Sequence, residues 1–184
     1  MPVTFSDDEA KKLEEEVNSL LAQLRSMVQL QNNCKSDMKE FYNTLRLRAV
    51  FSDMADRCLR GRYTDAYKDS SFNKLLGKML LAYKLEPVGT ECGHLLSDEK
   101  IIQQDIEKIR ACTGFFHRLF IGREKKAESE AAYQRLLQRK NGEFAQQIHA
   151  VENMADEAKN AAQQVNAEEY FKYNKVQFTR DYTG

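Results

Sequence analysis

Apolar residues recur at spacings of four and three along the first quarter of the chain: Leu13, Val17, Leu20, Leu24, Met27, Gln31, Cys34, Met38, Phe41 and Leu45. That rhythm holds one helical face apolar over many turns, and sustained this long it reads as a heptad seam. Ser6 and Glu9 stand three apart just ahead of it, the spacing of a capping box that satisfies the free N–H groups of a helix start. The pattern predicts a first helix from about Asp7 to Leu59, stopped by Gly61 and the polar stretch RYTDAYKDSS. At 1.5 Å per residue it would be roughly 80 Å long.

A second helix is predicted to begin at Ser70 or Ser71, with Phe72, Leu75, Leu76 and Met79 on one face. Pro87, Gly89 and Gly93 then predict a kink, or a break between two separate helices, because proline removes a helical hydrogen bond and crowds the preceding turn. The kink is preferred because apolar periodicity continues on both sides. The apolar rhythm resumes at Ile102, Ile106, Ile109, Thr113, Phe116 and Phe120 and runs through Tyr133, Leu136 and Leu137 to Arg139. Asn141-Gly142 is a turn signal that ends this helix and reverses the chain. A third helix follows with Phe144, Ile148, Val151, Ala155, Ala158, Ala162 and Val165, giving way to the aromatics Tyr170, Phe171, Tyr173, Phe178 and Tyr182.

The expected fold is therefore all-α, a long antiparallel three-helix coiled coil forming a single domain over residues 1–184. Helices of about 50, 70 and 40 residues cannot pair along their whole lengths within one chain, so an apolar face is left over. The expected remedy is an elongated dimer. Its seam would use Leu20, Leu24, Met27, Met38 and Phe41 of the first helix.

Composition supports a helical chain. Only 8 Gly and 2 Pro occur in 184 residues, too few for the frequent turns of sandwiches, barrels or alternating α/β folds. No apolar run approaches the roughly 18 residues that span a bilayer, and MPVTFSDDEAKK has no signal-peptide pattern. A cytoplasmic chain is expected. Cys34, Cys58, Cys92 and Cys112 are scattered, as are His94, His117 and His149, so neither a metal nor another cofactor is expected. Cys92 and His94 come nearest to a ligand pair, but the cysteines read better as reduced, mostly half-buried thiols in a reducing compartment. Cys112 and His117 lie about 140° apart on a helix and cannot work together. With no phosphate loop, no HExxH and no nucleophile beside a base, the chain does not read as an enzyme.

Charge changes the picture more. The total is zero, 28 basic against 28 acidic, but it is segregated. Residues 1–16 carry a net −4 (two Lys, six acids) and residues 141–170 a net −5 (one Lys, six acids). Residues 46–84 carry +5 (nine basic, four Asp) and residues 118–140 carry +4 (seven basic, three Glu). Two basic blocks suit an anionic surface. Nucleic acid is the weaker match, since aromatic residues do not alternate with the cations as a single-strand platform requires. The plain alternative is that each charge merely solvates a coiled coil.

The stretch LLSDEKIIQQDIEKIRACTGFFHRLFIGREKKAESEAAYQRLLQRKN resembles the second helix of BAR domains, particularly the sorting-nexin type. In both, an acidic and apolar stretch leads to basic residues, a tyrosine, a leucine pair and a basic end. The C-terminal VNAEEYFKYNKVQFTRDY is similar to that family's third helix through Glu168, Glu169, Phe171, Lys175, Phe178 and Arg180. The resemblance implies a dimer that binds anionic phospholipid membranes and senses or induces curvature. It also implies a peripheral place on endosomal membranes, in sorting or protein transport, with a homodimer or a related BAR protein as partner. The membrane-binding residues would be Arg118, Arg123, Lys125, Lys126, Arg135, Arg139 and Lys140 at one tip. Around the first turn they would be Arg57, Arg60, Arg62, Lys68, Lys74 and Lys78. The competing expectations are a cytosolic coiled-coil scaffold or tether that binds protein partners without touching lipid, and a helical protein of secretion or phage machinery.

Overall fold

A computed structural model describes residues 3–43 and 71–164. Among these the chain is all-α, 89% helix with no strand. The elements are α1 (Asp7–Asn43), α2 (Ser71–Leu96), α3 (Glu99–Arg110), α4 (Phe115–Phe120), α5 (Arg123–Asn141) and α6 (Glu143–Gln163). The expected continuation of the first helix to Leu59 lies outside the described residues, as do the C-terminal aromatics from Tyr170 onward. The helices pack as two compact units. One comprises residues 3–28 and 90–153, the other 29–43, 71–89 and 154–164.

In the first unit the capping box forms as its spacing predicts. The Ser6 amide and hydroxyl donate to the Glu9 carboxylate at 2.7 and 2.8 Å, and the Glu9 amide donates to the Ser6 hydroxyl at 3.2 Å. From there α1 buries Ala10, Leu13, Val17, Leu21 and Leu24. The stripe passes through Leu21, not Leu20, which stays half-buried. Adjacent positions lie about 100° apart on a helix, so only one of the two leucines can face the core. Leu24 is 0% exposed, wholly covered by its own chain, and has no area left to bury against a second copy. Leu20 and Met27 keep part of theirs, whereas the side chains of Met38 and Phe41 lie outside the described residues.

The expected second helix is interrupted. After α2, Ser97 turns the chain, its amide donating to the Gly93 and His94 carbonyls at 3.1 Å. Next, α3 buries Ile102, Ile106 and Ile109 and ends at Arg110. The Cys112 and Thr113 amides close tight turns onto the Ile109 and Arg110 carbonyls, and Gly114 takes φ +94°. Only glycine adopts that conformation readily, so the helix cannot continue through it. A second break at Gly122 precedes α5, which folds back along α3. The direction is fixed by cross-pairs: the Ser129 hydroxyl donates to the Lys108 carbonyl, Arg135 meets Asp105, and Arg139 meets Asp98. Residue numbers climb on α5 as they fall on α3, so the two form an antiparallel hairpin.

This corrects the expected topology in two places. The reversal falls between residues 111 and 122, not at Asn141-Gly142. Gly142 bends the path without turning it back: beyond Arg139, Glu143, Phe144 and Gln147 lie beside His94 and Leu95. On the other flank, α1 runs antiparallel to α3 through Glu14–Arg110, Asn18–Gln103 and Arg25–Glu99.

In the second unit α2 passes through Pro87 and buries Ala82, Leu85 and Val88. Gln31 of α1 lies against Gly89, where a Cβ would come within 2.8 Å of its Oε1. Met154, Ala158 and Ala161 of α6 lie beside Tyr83, Lys84 and Pro87 of α2. The third-helix rhythm holds from Phe144 through Ile148, Val151 and Ala155 to Ala158, all buried.

Two expectations for stability follow. Asp105 is 3% exposed and receives two hydrogen bonds from Arg135, at 2.9 and 2.6 Å. Arg135→Met strands a buried carboxylate and should cost about 2–3 kcal/mol at neutral pH. Replacing both partners (Asp105→Leu with Arg135→Met) should recover most of that loss in urea titrations. The second concerns Glu9, whose pKa the Ser6 amide, then the Ser6 hydroxyl, hold below the ordinary value. A lowered carboxylate contributes stability that is fully present above its unfolded pKa and is lost as pH falls through the folded one. The parent's margin over Glu9→Gln, measured by urea melts across pH, should therefore be greatest near neutrality and close in acid.

Candidate functional site

The end of the α3–α5 hairpin carries the most unusual surface among the described residues. At about 100° per residue, Phe115, Phe116, Leu119 and Phe120 fall within an arc of about 140° on α4. Their exposures are 72%, 73%, 60% and 84%. Burying a Leu or Phe side chain completely is worth about 1.5–3 kcal/mol, so leaving four largely in water forgoes several kcal/mol of burial. Clustered apolar exposure of this kind marks a contact surface, whereas single exposed leucines do not.

Phe116 and Phe120 belong to the four-and-three rhythm and were expected in the seam. The structure exposes both, because Gly114 and Gly122 cut α4 out of that seam. The two glycines are the signal in the sequence that marks this segment as separate.

One side chain ties α4 to the body of the unit. Arg118 pairs with Asp7 at 2.7 Å and donates to the Phe5 and Cys112 carbonyls at 2.9 and 3.3 Å. Its guanidinium also lies 5.8 Å from the Phe5 ring centroid. Phe5 itself is buried, stacked on Tyr133 at 4.5 Å. The Gly114 amide donates to Asp7 as well, at 2.9 Å. Phe5 and Asp7, at the start of α1, therefore clip both ends of the turn that begins α4.

The basic block of residues 118–140 divides once partners are known. Arg118, Arg135, Arg139 and Lys140 are paired to Asp7, Asp105, Asp98 and Glu16. Arg139 also lies 5.9 Å from the Phe144 ring centroid. These four are occupied with holding the unit together. Arg123 and Lys125 are exposed and Lys126 is half-buried, and none makes an ion pair among the described residues. All three stand in the first turns of α5, with Glu124 the one acid of its first turn. Cations there face the positive end of the helix dipole, which costs a few tenths of a kcal/mol each. The arrangement disfavours the helix by itself and favours an external anion.

Of the second basic block, Lys78 is exposed on α2 in the other unit. Lys74 lies on α2 with its side chain outside the described residues, and Arg57, Arg60, Arg62 and Lys68 lie outside them altogether.

Cys112 is buried while His117 is exposed, and Cys92 is buried while His94 is exposed. Burial, with a smaller contribution from Glu91, pushes the Cys92 thiol up to about 11 and leaves it unreactive near neutrality. Among the described residues no group of His, Cys, Asp and Glu could hold a metal ion, and no helix is long and apolar enough to cross a membrane.

Compared with protein-family models, curated proteins and solved structures, the chain matches none. What the site can do is read from its own chemistry: an exposed apolar face, set beside three cations that make no ion pair among the described residues.

Proposed function

We propose that the chain is a peripheral membrane protein that binds anionic phospholipid bilayers through the end of the α3–α5 hairpin. The observation that carries this is the junction of Phe115, Phe116, Leu119 and Phe120 with Arg123, Lys125 and Lys126. A lipid surface offers phosphates at one depth and hydrocarbon a few ångströms deeper, so both halves of the site are satisfied together. Each Lys or Arg near such a surface contributes about 1 kcal/mol, and that contribution is screened by salt. The sorting-nexin-like BAR resemblance extends the proposal to a dimeric module that senses or induces curvature on endosomal membranes. A dimer would also raise affinity through the avidity of two tips.

Replacing Arg123, Lys125 and Lys126 together with Glu tests the reading. In co-sedimentation with phosphatidylcholine/phosphatidylserine vesicles the variant should bind about a hundredfold more weakly than the parent. Thermal melts should barely move, because no ion pair among the described residues is lost. Parental pelleting by the variant, or equal binding of the parent to pure phosphatidylcholine, would overturn the proposal. Dimerisation is checked separately by light scattering at micromolar concentration, where twice the chain mass is expected and a non-aggregating monomer would remove that part.

A further inference from the structure

We infer that α4 enters the bilayer as a wedge, with Phe115, Phe116, Leu119 and Phe120 reaching the upper acyl region. Arg123, Lys125 and Lys126 remain at the level of the phosphates. The inference rests on the membrane reading above and deepens it: charge alone would hold the protein on the surface, whereas insertion places side chains below it.

The argument is one of fit. On α4 the apolar arc faces away from Arg118, the side chain that ties the helix to Asp7, Phe5 and Cys112. The ties lie behind and the rings in front. The clip through Asp7 and Gly114 means that α4 is presented on a braced turn. With only six residues, α4 spans about 9 Å, so its arc presents the rings as one compact patch that enters face-on. Three occupants could cover the rings. A second copy meeting tip to tip would bring Arg123, Lys125 and Lys126 of each chain against their counterparts, and like charges so placed repel. A protein groove would have to supply acids in register with an apolar slot. An anionic bilayer supplies both without registration, in the vertical order that the site needs.

The chain contains no Trp, so a single Phe116→Trp substitution in the full chain reports from α4 alone. Pelleting and fluorescence are read on the same samples with phosphatidylcholine/phosphatidylserine vesicles, plain or brominated high on the acyl chain. Insertion predicts a blue shift on binding and strong quenching by the brominated lipid. Vesicle-bound protein whose emission stays that of a water-exposed indole and is not quenched would overturn insertion while leaving membrane binding intact. Failure of the parent to pellet would overturn both. A blue shift that appears without vesicles and grows with protein concentration would assign the rings to a second copy and overturn insertion. Changing Phe115, Phe116, Leu119 and Phe120 together to Ser should, with helicity unchanged by circular dichroism, weaken binding in high salt about tenfold or more. The low-salt, charge-driven binding should partly survive. Equal high-salt binding by the quadruple variant and the parent would also overturn insertion.

Discussion

A carboxylate set among isoleucines governs the geometry of the first unit. Asp105 stands between Ile102, Ile106 and Ile109 on the inner face of α3, and ionised it needs a cation and hydrogen-bond donors. Arg135 supplies both through a two-pronged contact. A planar guanidinium can make that contact in few arrangements, so the pair sets the register of α5 against α3 as well as neutralising a charge. Ser129 then falls beside the Lys108 carbonyl, and Arg139 beside Asp98. With the register set, the residues left over between the two helices are those from Ala111 to Gly122. The exposed α4 is what that remainder becomes.

Charge segregation along the chain acquires a structural meaning in the same unit. The acidic opening residues meet the basic block of the hairpin: Asp7 takes Arg118 and Glu16 takes Lys140, while Glu14 pairs with Arg110 just before the turn. Much of the positive run is thus an instruction for internal pairing. What an external anion can use is the residue of that pairing, and it is concentrated in one turn of α5.

How far the sequence revealed this varies by element. The Ser6–Glu9 box and the α6 stripe from Phe144 to Ala158 are legible because both depend on neighbours within a few residues. Leu20 against Leu21 was not, since a stripe of adjacent leucines admits two faces and only the packing partner chooses. Phe116 and Phe120 were misplaced for a deeper reason. Periodicity tells which residues share a face, but not whether another helix covers that face. The division of the basic block was equally hidden, because the acids that occupy it lie on other helices. Gly114 and Gly122 did carry the break, as two permissive residues flanking an aromatic segment.

The clip at the start of α1 has a consequence in time. Thr4 bonds to Glu130, Phe5 stacks on Tyr133, and Asp7 binds Gly114 and Arg118. Every one of these partners is made more than a hundred residues later, a sequence separation of 126 for Thr4 and Glu130. At about 5–20 residues per second, the ribosome leaves the beginning of the chain without them for roughly 6–25 seconds. Such distant contacts also carry a loop-closure entropy that local helix formation does not. During synthesis α1 can therefore form early, but Asp7 acquires its partners only when α4 has emerged, and Thr4 and Phe5 theirs only with α5. The stretch from Phe5 to Asp7 spends that interval as an open apolar and acidic segment, within reach of whatever chaperone meets the nascent chain.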